Sequence, residues 1–367
     1  MPNNDTAVLI CGHGSRDTDA IAEFESMAAR LKTRLPQYPV GAAYLEFARP
    51  MIREGLEALK ARGARRILAV PGMLFAAGHV KNDLPWELNS FAAENPDMTV
   101  EYGRDLAIDP KLLQAARERI EAAESRAERT VDRAETVLLT VGRGTNDPDA
   151  NANIAKVARM LWEGMGFGWG AVAYSGVAHP RVDAALARLV RLGFRRIVVF
   201  PYFLFTGVLV KRIYTQTDAI AAVHRDVEFL KADYLNDHPL VLDAFVERVN
   251  EILTGDNVMN CRLCKYREQI IGYEADVGAP QAGHHLHVRG IGTDADRHHA
   301  HHHHHGHGHH HHGHHHHGHD HHHDHDHAHD HGHGHVHGHH VHGHAHHRAD
   351  GNANPDAQPA APAARTK

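Results

Sequence analysis

The sequence repeats itself at a fixed offset, and this repeat limits what the chain can fold into. After a shift of 130 residues, the segment LICGHGSRD falls on LTVGRGTND, and GARRI falls on GFRRI. The matched stretches are residues 9–17 with 139–147, 63–67 with 193–197, 80–81 with 210–211 and, after a slip of one residue, Leu106 with Leu235. One offset that holds over about 70 residues indicates a duplicated folding unit rather than a chance similarity.

Each repeat alternates short apolar runs with helical periodicity. In the first repeat, the runs at residues 7–11, 40–45, 66–70 and 98–102 predict four buried strands, and Phe24, Met27 and Leu31 recur at the spacing of a helix face. Alternating strands and helices imply a parallel sheet that is covered on both faces. We therefore expect an α/β protein with two tandem homologous domains, each a parallel sheet flanked by helices.

Composition divides the chain further. We place the two homologous domains at residues 1–127 and 135–253, a segment with a C-x-x-C pair at 254–290, and a tail at 291–367. Of the 41 histidines, 33 lie between residues 298 and 347. A tail of histidine, glycine and aspartate cannot bury a core, so we expect it to be disordered.

Several classes of function are disfavoured by the sequence. A net charge of -6 does not indicate nucleic-acid binding. The sequence contains no G-x-x-x-x-G-K-[ST] motif, so a P-loop ATPase or GTPase is disfavoured. The longest apolar stretch, residues 197–210, is too short to cross a membrane. The N-terminus does not resemble a signal peptide, and three cysteines make no disulfide framework, so we expect a cytoplasmic protein.

Three potential metal ligands follow the predicted strands of the first repeat. His13 follows the first strand, Glu46 the second, and His79 lies in the predicted loop after the third. Ligands of open α/β sheets bind beyond the carboxyl ends of the strands, so these side chains should converge. Two imidazoles and a carboxylate suit a divalent ion such as Co, Ni, Fe or Zn.

The second repeat lacks this ligand set. Arg143, Gly176 and Leu209 occupy the equivalent positions, while the surrounding framework residues are kept. The sequence thus predicts one site rather than two, with the second repeat forming a wall of the cleft and Arg143 meeting an anionic group of the substrate. In the alternative interpretation, His13 only fills a turn and His79 lies in a surface loop.

Four sequence motifs resemble the sirohydrochlorin chelatases of cobalamin and sirohaem synthesis. They are LICGHGSRD near the N-terminus, LEFARP at residues 45–50, PGMLFAAGHVKNDLP at residues 71–85, and the M-x-C-x-x-C of residues 259–264. These enzymes are class II tetrapyrrole chelatases, which need no ATP. The duplication, the histidine-rich tail and the cysteine motif together resemble the long form of the sirohydrochlorin cobaltochelatases.

This resemblance implies a reaction and a set of residue roles. Co²⁺ would be inserted into sirohydrochlorin, with iron or nickel as alternative metals. His13 and His79 would hold the ion, with Glu46 completing the set, and the histidines would accept pyrrole protons. Because neutral imidazole is needed, we expect activity to fall below about pH 6. The substrate carries eight carboxylates, for which four basic residues are candidates: Arg16, Lys81, Arg143 and Lys211.

The accessory cysteines and histidines allow several interpretations. The resemblance implies a [4Fe-4S] cluster on Cys261 and Cys264, but such a cluster usually takes four thiolates, so a shared homodimer site or histidine ligands would be needed. A zinc site and a redox-active pair are the alternatives. The histidine tract should bind divalent ions for storage or delivery. A metal-storage protein or metallochaperone is therefore the competing function, and truncation near residue 290 would distinguish it from an enzyme.

Overall fold

The computed structural model describes residues 5–259, 264–269 and 271–278. The elements of the first half are β1 (Thr6–Gly12), α1 (Thr18–Arg34), β2 (Val40–Tyr44), α2 (Ile52–Ala61), β3 (Arg66–Pro71), α3 (Leu84–Glu94), β4 (Thr99–Tyr102) and α4 (Pro110–Glu124). Those of the second half are β5 (Thr136–Gly142), α5 (Pro148–Met165), β6 (Trp169–Tyr174), α6 (Val182–Leu189), β7 (Arg196–Pro201), α7 (Val208–Val223), β8 (Glu228–Lys231) and α8 (Pro239–Thr254).

Each half contains one parallel four-stranded sheet. The strand orders are β2-β1-β3-β4 and β6-β5-β7-β8, which are the same arrangement twice. In each sheet the chain moves from the first strand to one neighbour and then crosses to the other side. The carboxyl ends of β1, β2 and β3 therefore meet at a reversal of strand order, where open α/β sheets form their ligand crevices. The predicted α/β fold with two homologous parallel sheets is confirmed.

The two halves share a hydrophobic core. Along β1, Val8 and Ile10 point into a cluster that also contains residues of α1, α4, α5 and α8, whereas Leu9 and Cys11 point to a cluster under α2 and α3. In the second half, Val198 belongs to the shared cluster, while α6 and α7 cover a separate one. Helices of both halves thus fill the space between the sheets, and neither sheet can bury this face alone.

A π-helical turn at His79–Asp83 explains the slip of one residue between the repeats. The offset is 130 where His79 aligns with Leu209, but 129 where Thr99–Tyr102 aligns with Glu228–Lys231. The second half passes through the same region as the regular helix α7. A π turn takes one more residue than an α turn because its hydrogen bonds run from i to i+5. The extra residue of the first half lies in the helix that begins with a candidate ligand.

Among the described residues, no helix is both long and apolar enough to cross a membrane. The described part of the C-terminal segment contains a short 3-10 turn, Glu274–Asp276, and an ion pair of 2.9 Å between Lys265 and Asp276. Cys261 and the histidine-rich tail lie outside the described residues.

Candidate metal centre

Backbone pairing beyond the strand ends fixes His13 beside Glu46. Leu45 N–H donates to the Gly12 carbonyl and Glu46 N–H donates to the His13 carbonyl, at 2.9 and 3.0 Å. Gly14 has a φ of +92°, and a Cβ there would lie 1.6 Å from the Glu46 carbonyl oxygen. Glycine is therefore required at this turn, because any side chain would push the two ligand-bearing segments apart.

His79 is the first residue of the π-helical turn, not part of an irregular loop as expected. Its Nδ1 lies 2.7 Å from Oδ2 of Asp83, whose side chain is only 4% exposed. Asn82 donates to the other Asp83 oxygen at 3.0 Å. π turns often occur at functional sites, and this one places a buried carboxylate directly behind a candidate ligand.

The three predicted ligands come together. His13, Glu46 and His79 each offer one ligand atom, and these atoms lie within 4.8 Å of one another. His13 Nε2 is 3.3 Å from Glu46 Oε1, and the two imidazole rings meet edge to face at 4.7 Å between centroids. Atoms about 2.1 Å from a shared ion stand roughly 3–4 Å apart, so only a small inward shift is needed to coordinate one.

In both histidines, a hydrogen bond from Nδ1 to a protein oxygen fixes the tautomer. His13 Nδ1 lies 3.0 Å from the Gly14 carbonyl, which can only accept, so Nδ1 carries the proton. His79 Nδ1–H likewise donates to the Asp83 carboxylate. In its neutral form, each ring would therefore present an unprotonated Nε2 atom, which is the form that binds a metal ion.

The surroundings of His13 favour its neutral form. Desolvation, with the charges of Arg143 and His79 beside the ring, lowers the pKa of His13 to about 3. The carbonyl of Gly14 and the charge of Asp83 oppose this shift but do not cancel it. Acidification from pH 7 to pH 5 thus leaves His13 unprotonated, and a loss of activity near pH 6 would not come from this ligand.

The ligand set borders a cavity of about 550 Å³ that is lined by both halves. Its walls are largely apolar and aromatic, with Phe47 and Phe75 from the first half and Tyr202 and Phe205 from the second. This volume is typical of sites for organic ligands. The cavity can therefore hold a flat apolar ring while the histidines face it from one side.

Two of the four basic candidates line the cavity. Arg16 lies with its guanidinium carbon 4.9 Å from the centre of the Phe47 ring, and Arg143 Nη2 lies 3.4 Å from His13 Nε2. Arg143 belongs to the second half, so this contact joins the two halves at the ligand set. These two positions fit the predicted contact with carboxylates of the substrate.

The other two candidates, Lys81 and Lys211, have a different role in the structure. Lys81 is buried and forms ion pairs with Asp147 and Asp149 of the second half, at 2.7 and 3.2 Å. Burial alone would lower the pKa of Lys81, but the hydrogen bond and charge of these carboxylates raise it. A buried ammonium that is already paired with two carboxylates is not offered to a ligand, so the prediction for Lys81 needs correction.

Lys211 forms the equivalent ion pairs, from the second half to the first. Its Nζ lies 2.8 Å from Asp17 and 2.9 Å from Asp19 of the first half, and hydrogen bonds to these carboxylates raise its pKa. Asp17 aligns with Asp147 at the repeat offset. The duplication has therefore produced two reciprocal ion-pair clusters that join the halves. Lys211 does not line the cavity, but half of its side chain is exposed, so its contact with a substrate carboxylate stays a prediction.

The second half could not hold a matching ligand set. Gly176 occupies the position of Glu46, and its N–H donates to the Arg143 carbonyl at 2.5 Å. A Cβ on Gly176 would lie 2.2 Å from that carbonyl oxygen, so a glutamate cannot be accommodated without a backbone shift. Among the described residues, one group of three or more histidine, cysteine or acidic side chains lies close enough to share a metal ion, and it consists of His13, Glu46 and His79.

Sequence reasoning missed Asp83. The signal was present in HVKND, because a carboxylate four residues after a histidine lies on the same side of a helical turn. It was overlooked because this segment was expected to be a loop. Of the cysteines, Cys11 is buried in β1, and Cys264 is buried and forms no disulfide.

Replacing Asp83 with asparagine should weaken metal binding by about 10–100-fold. The asparagine amide can donate to His79 Nδ1, which would move the ring proton to Nε2 and remove the lone pair that faces the metal. Titration of the protein with a divalent ion such as Co²⁺ measures this effect, with the surface variant Asp97→Asn as the control. Unchanged binding in Asp83→Asn would show that Asp83 does not orient the ligand.

The fold and the site define the class of protein: a two-lobed, chelatase-like α/β protein with one ligand set at the cleft between duplicated halves. The CbiX family model matches residues 7–123 and 137–252, and the chain belongs to this family. The sirohydrochlorin cobaltochelatase of Priestia megaterium is 33% identical over 261 residues, which cover 71% of this chain and 84% of that protein.

Related proteins with another metal are also similar. The sirohydrochlorin ferrochelatase of Priestia megaterium is 30% identical over 250 residues, covering 68% of this chain and 91% of that protein. The structure of SirB from Bacillus subtilis with Fe³⁺ superposes with a TM-score of 0.61 at 27% identity, covering 69% of this chain and 97% of SirB. Both halves of this chain lie within the match to the family model.

Proposed function

We propose that this protein inserts Co²⁺ into sirohydrochlorin without ATP. The observation that carries the proposal is the convergence of His13, Glu46 and His79 at the edge of a cavity of about 550 Å³ between the two halves. A chelatase needs an ion held beside a ring-sized apolar cleft, together with groups that accept protons. In this cleft the ligand set would hold the ion, the apolar walls would take the ring, and His79 would accept a proton.

The cavity suits a flat tetrapyrrole with charged edges. Its apolar walls can pack against the faces of the ring, and burying this surface favours binding by about 25 cal/mol per Å². The acidic side chains of the substrate then meet Arg16 and Arg143, whose guanidinium groups can each bind a carboxylate through two hydrogen bonds. The ring would thereby be oriented with its nitrogens toward His13 and His79.

The metal ion and one of the released protons would exchange at a single atom, Nε2 of His79. The ion is held by Nε2 of His13 and Nε2 of His79, with Glu46 as the third ligand. Insertion forms metal–nitrogen bonds to the ring and releases two pyrrole protons. As the ion leaves, His79 Nε2 is free to accept one of these protons, and the Asp83 carboxylate on Nδ1 stabilises the resulting imidazolium. The second proton would pass to water. His13, with its pKa lowered to about 3, serves as a ligand rather than as a proton acceptor.

Similarity to the related enzymes favours cobalt as the metal. The relative at 33% identity is named a cobaltochelatase, while that at 30% is named a ferrochelatase. The ligand set itself accepts several first-row ions. Cobalt is therefore the metal we propose, and direct comparison of metals must test it.

The accessory segments are proposed to bind metal as well. Imidazoles at the density of residues 298–347 bind divalent ions, which would raise their concentration near the cleft. Because Cys11 is buried in β1, Cys261 and Cys264 are the two thiols left for an accessory site. A [4Fe-4S] cluster there requires histidine ligands or a homodimer.

The proposal is tested by metallation of sirohydrochlorin without nucleotide. Purified protein, anaerobic sirohydrochlorin and Co²⁺, Fe²⁺ or Ni²⁺ in turn are followed by absorbance, against the same mixtures without protein. We expect protein-dependent conversion with each of the three ions, and the highest kcat/KM with Co²⁺. Absence of acceleration with every ion would refute the chelatase function, whereas a preference for Fe²⁺ would refute only the choice of cobalt.

A further inference from the structure

We propose that Arg143 is a cationic gate on the metal site, which occupies the metal-binding nitrogen of His13 until a carboxylate of the tetrapyrrole draws the guanidinium away. This inference rests on the proposed function and adds an order to it: the tetrapyrrole makes the ligand set available to the ion. Arg143 would thus be more than one of several groups that bind the substrate's carboxylates.

The gate acts at one atom. Because Nδ1 of His13 donates to the Gly14 carbonyl, Nε2 is the acceptor, and it lies 3.4 Å from Nη2 of Arg143. The guanidinium has donors and no acceptor, so the contact is a hydrogen bond from Arg143 to the lone pair of Nε2. A metal ion needs that same lone pair, and the two cannot use it together.

The charges reinforce this competition. Glu46 Oε1 lies 3.3 Å from the same nitrogen, so two electron-rich atoms face each other and favour a cation beside them. In the present state, Arg143 supplies that cation. A guanidinium stays charged at any physiological pH, so it would repel a divalent ion in this partly buried cleft.

Arg143 is able to leave. Its side chain is exposed and lines the cavity. The nearby charge of Glu46 favours the charged guanidinium, but among the described residues no carboxylate lies within ion-pair distance of it. It extends from the second half, at the position equivalent to His13, so its movement requires no change in the fold of the first half. An anionic group that enters the cavity would offer the guanidinium a stronger partner than a neutral imidazole.

A gate has a thermodynamic signature that a simple binding residue lacks. Removal of the charge should strengthen Co²⁺ binding and weaken sirohydrochlorin binding, and each ligand should assist the other only in the wild type. A residue that merely binds carboxylates would affect the tetrapyrrole alone. A residue that merely supports the ligand set would weaken the metal.

The test uses the full chain and its Arg143→Met and Arg143→Gln variants, with Arg188→Met, an exposed arginine of α6, as the matched control. Free Co²⁺ is fixed with a nitrilotriacetate buffer, and binding is measured as the rise in the thermal midpoint. The histidine tract also binds Co²⁺, so the contribution of the cleft is the part lost when His79→Ala is added to each protein. Sirohydrochlorin binding without metal is followed separately by fluorescence.

We expect both Arg143 variants to bind Co²⁺ at the cleft about fivefold or more tightly and sirohydrochlorin more weakly, with Arg188→Met unchanged. Unchanged or weaker Co²⁺ binding in both variants would overturn the gate while leaving the chelatase proposal intact. If His79→Ala left Co²⁺ binding unchanged, this result would instead overturn the proposed site itself, and the gate with it. The three outcomes are therefore distinguishable.

Discussion

Replacement of His79 by alanine should reduce the rate of sirohydrochlorin metallation by about 10²–10⁴-fold. The change removes a ligand of the proposed ion and the nitrogen that accepts a pyrrole proton, so it acts on two parts of one step. His79→Ala removes one partner of the buried Asp83, which keeps its hydrogen bond from Asn82, so the metal-free protein should still fold with a modestly lower thermal midpoint. Initial rates at saturating Co²⁺ and the unfolding curve measure the two quantities.

His224→Ala is the control for this prediction. His224 lies at the C-terminal end of α7 in the other half and belongs to no ligand cluster among the described residues. Its replacement removes an imidazole without touching the cleft. Wild-type rates in His79→Ala, or equal losses in the two variants, would contradict the assignment of His79 to the metal centre.

The second large effect concerns the two symmetry-related lysines. Lys81→Ala should lower the free energy of unfolding by about 3–5 kcal/mol, because it leaves Asp147 and Asp149 charged in a buried place without their partner. Lys211→Ala removes the equivalent pairs in the other half. There the lysine is 52% exposed, so solvent screens its ion pairs and the loss of stability should be much smaller.

Urea unfolding of the two variants measures this difference directly. The two sites have the same residue types at the same repeat positions but differ in burial, so each serves as the control for the other. Equal losses would show that burial does not determine the strength of these inter-half pairs. An unchanged stability in Lys81→Ala would show that the buried pair does not hold the halves together.

Most of the secondary structure of the first half could be predicted from sequence. The four predicted strands agree with β1 to β4 within one residue at most boundaries, because buried parallel strands are continuous apolar runs between glycine- or proline-containing turns. The prediction of a loop at His79 was wrong. The apolar and polar residues of this segment follow neither the period of a strand nor that of an α-helix clearly. The extra residue of a π turn has no local signature apart from the slipped register of the repeat.

The ligand set was predictable for a topological reason. Parallel strands place all their carboxyl ends at one edge, so residues that follow three strands must approach each other even though 33 residues separate each ligand from the next. The roles of the basic residues were not predictable in this way. Lys81 and Arg143 look alike in sequence, as cations that follow predicted strands, but one is buried between carboxylates and the other lines the cavity.

The sequence by itself determined the duplication, the parallel α/β architecture and the presence of one ligand set in two repeats, since periodicity, turns and strand ends are local properties of the chain. Only the tertiary structure decided how the repeats meet. Which sheet faces share a core, which lysine is buried, and the contact of Arg143 with His13 all depend on the packing of two sheets through four helices. Such contacts join residues about 66 to 130 positions apart, and no local pattern encodes them.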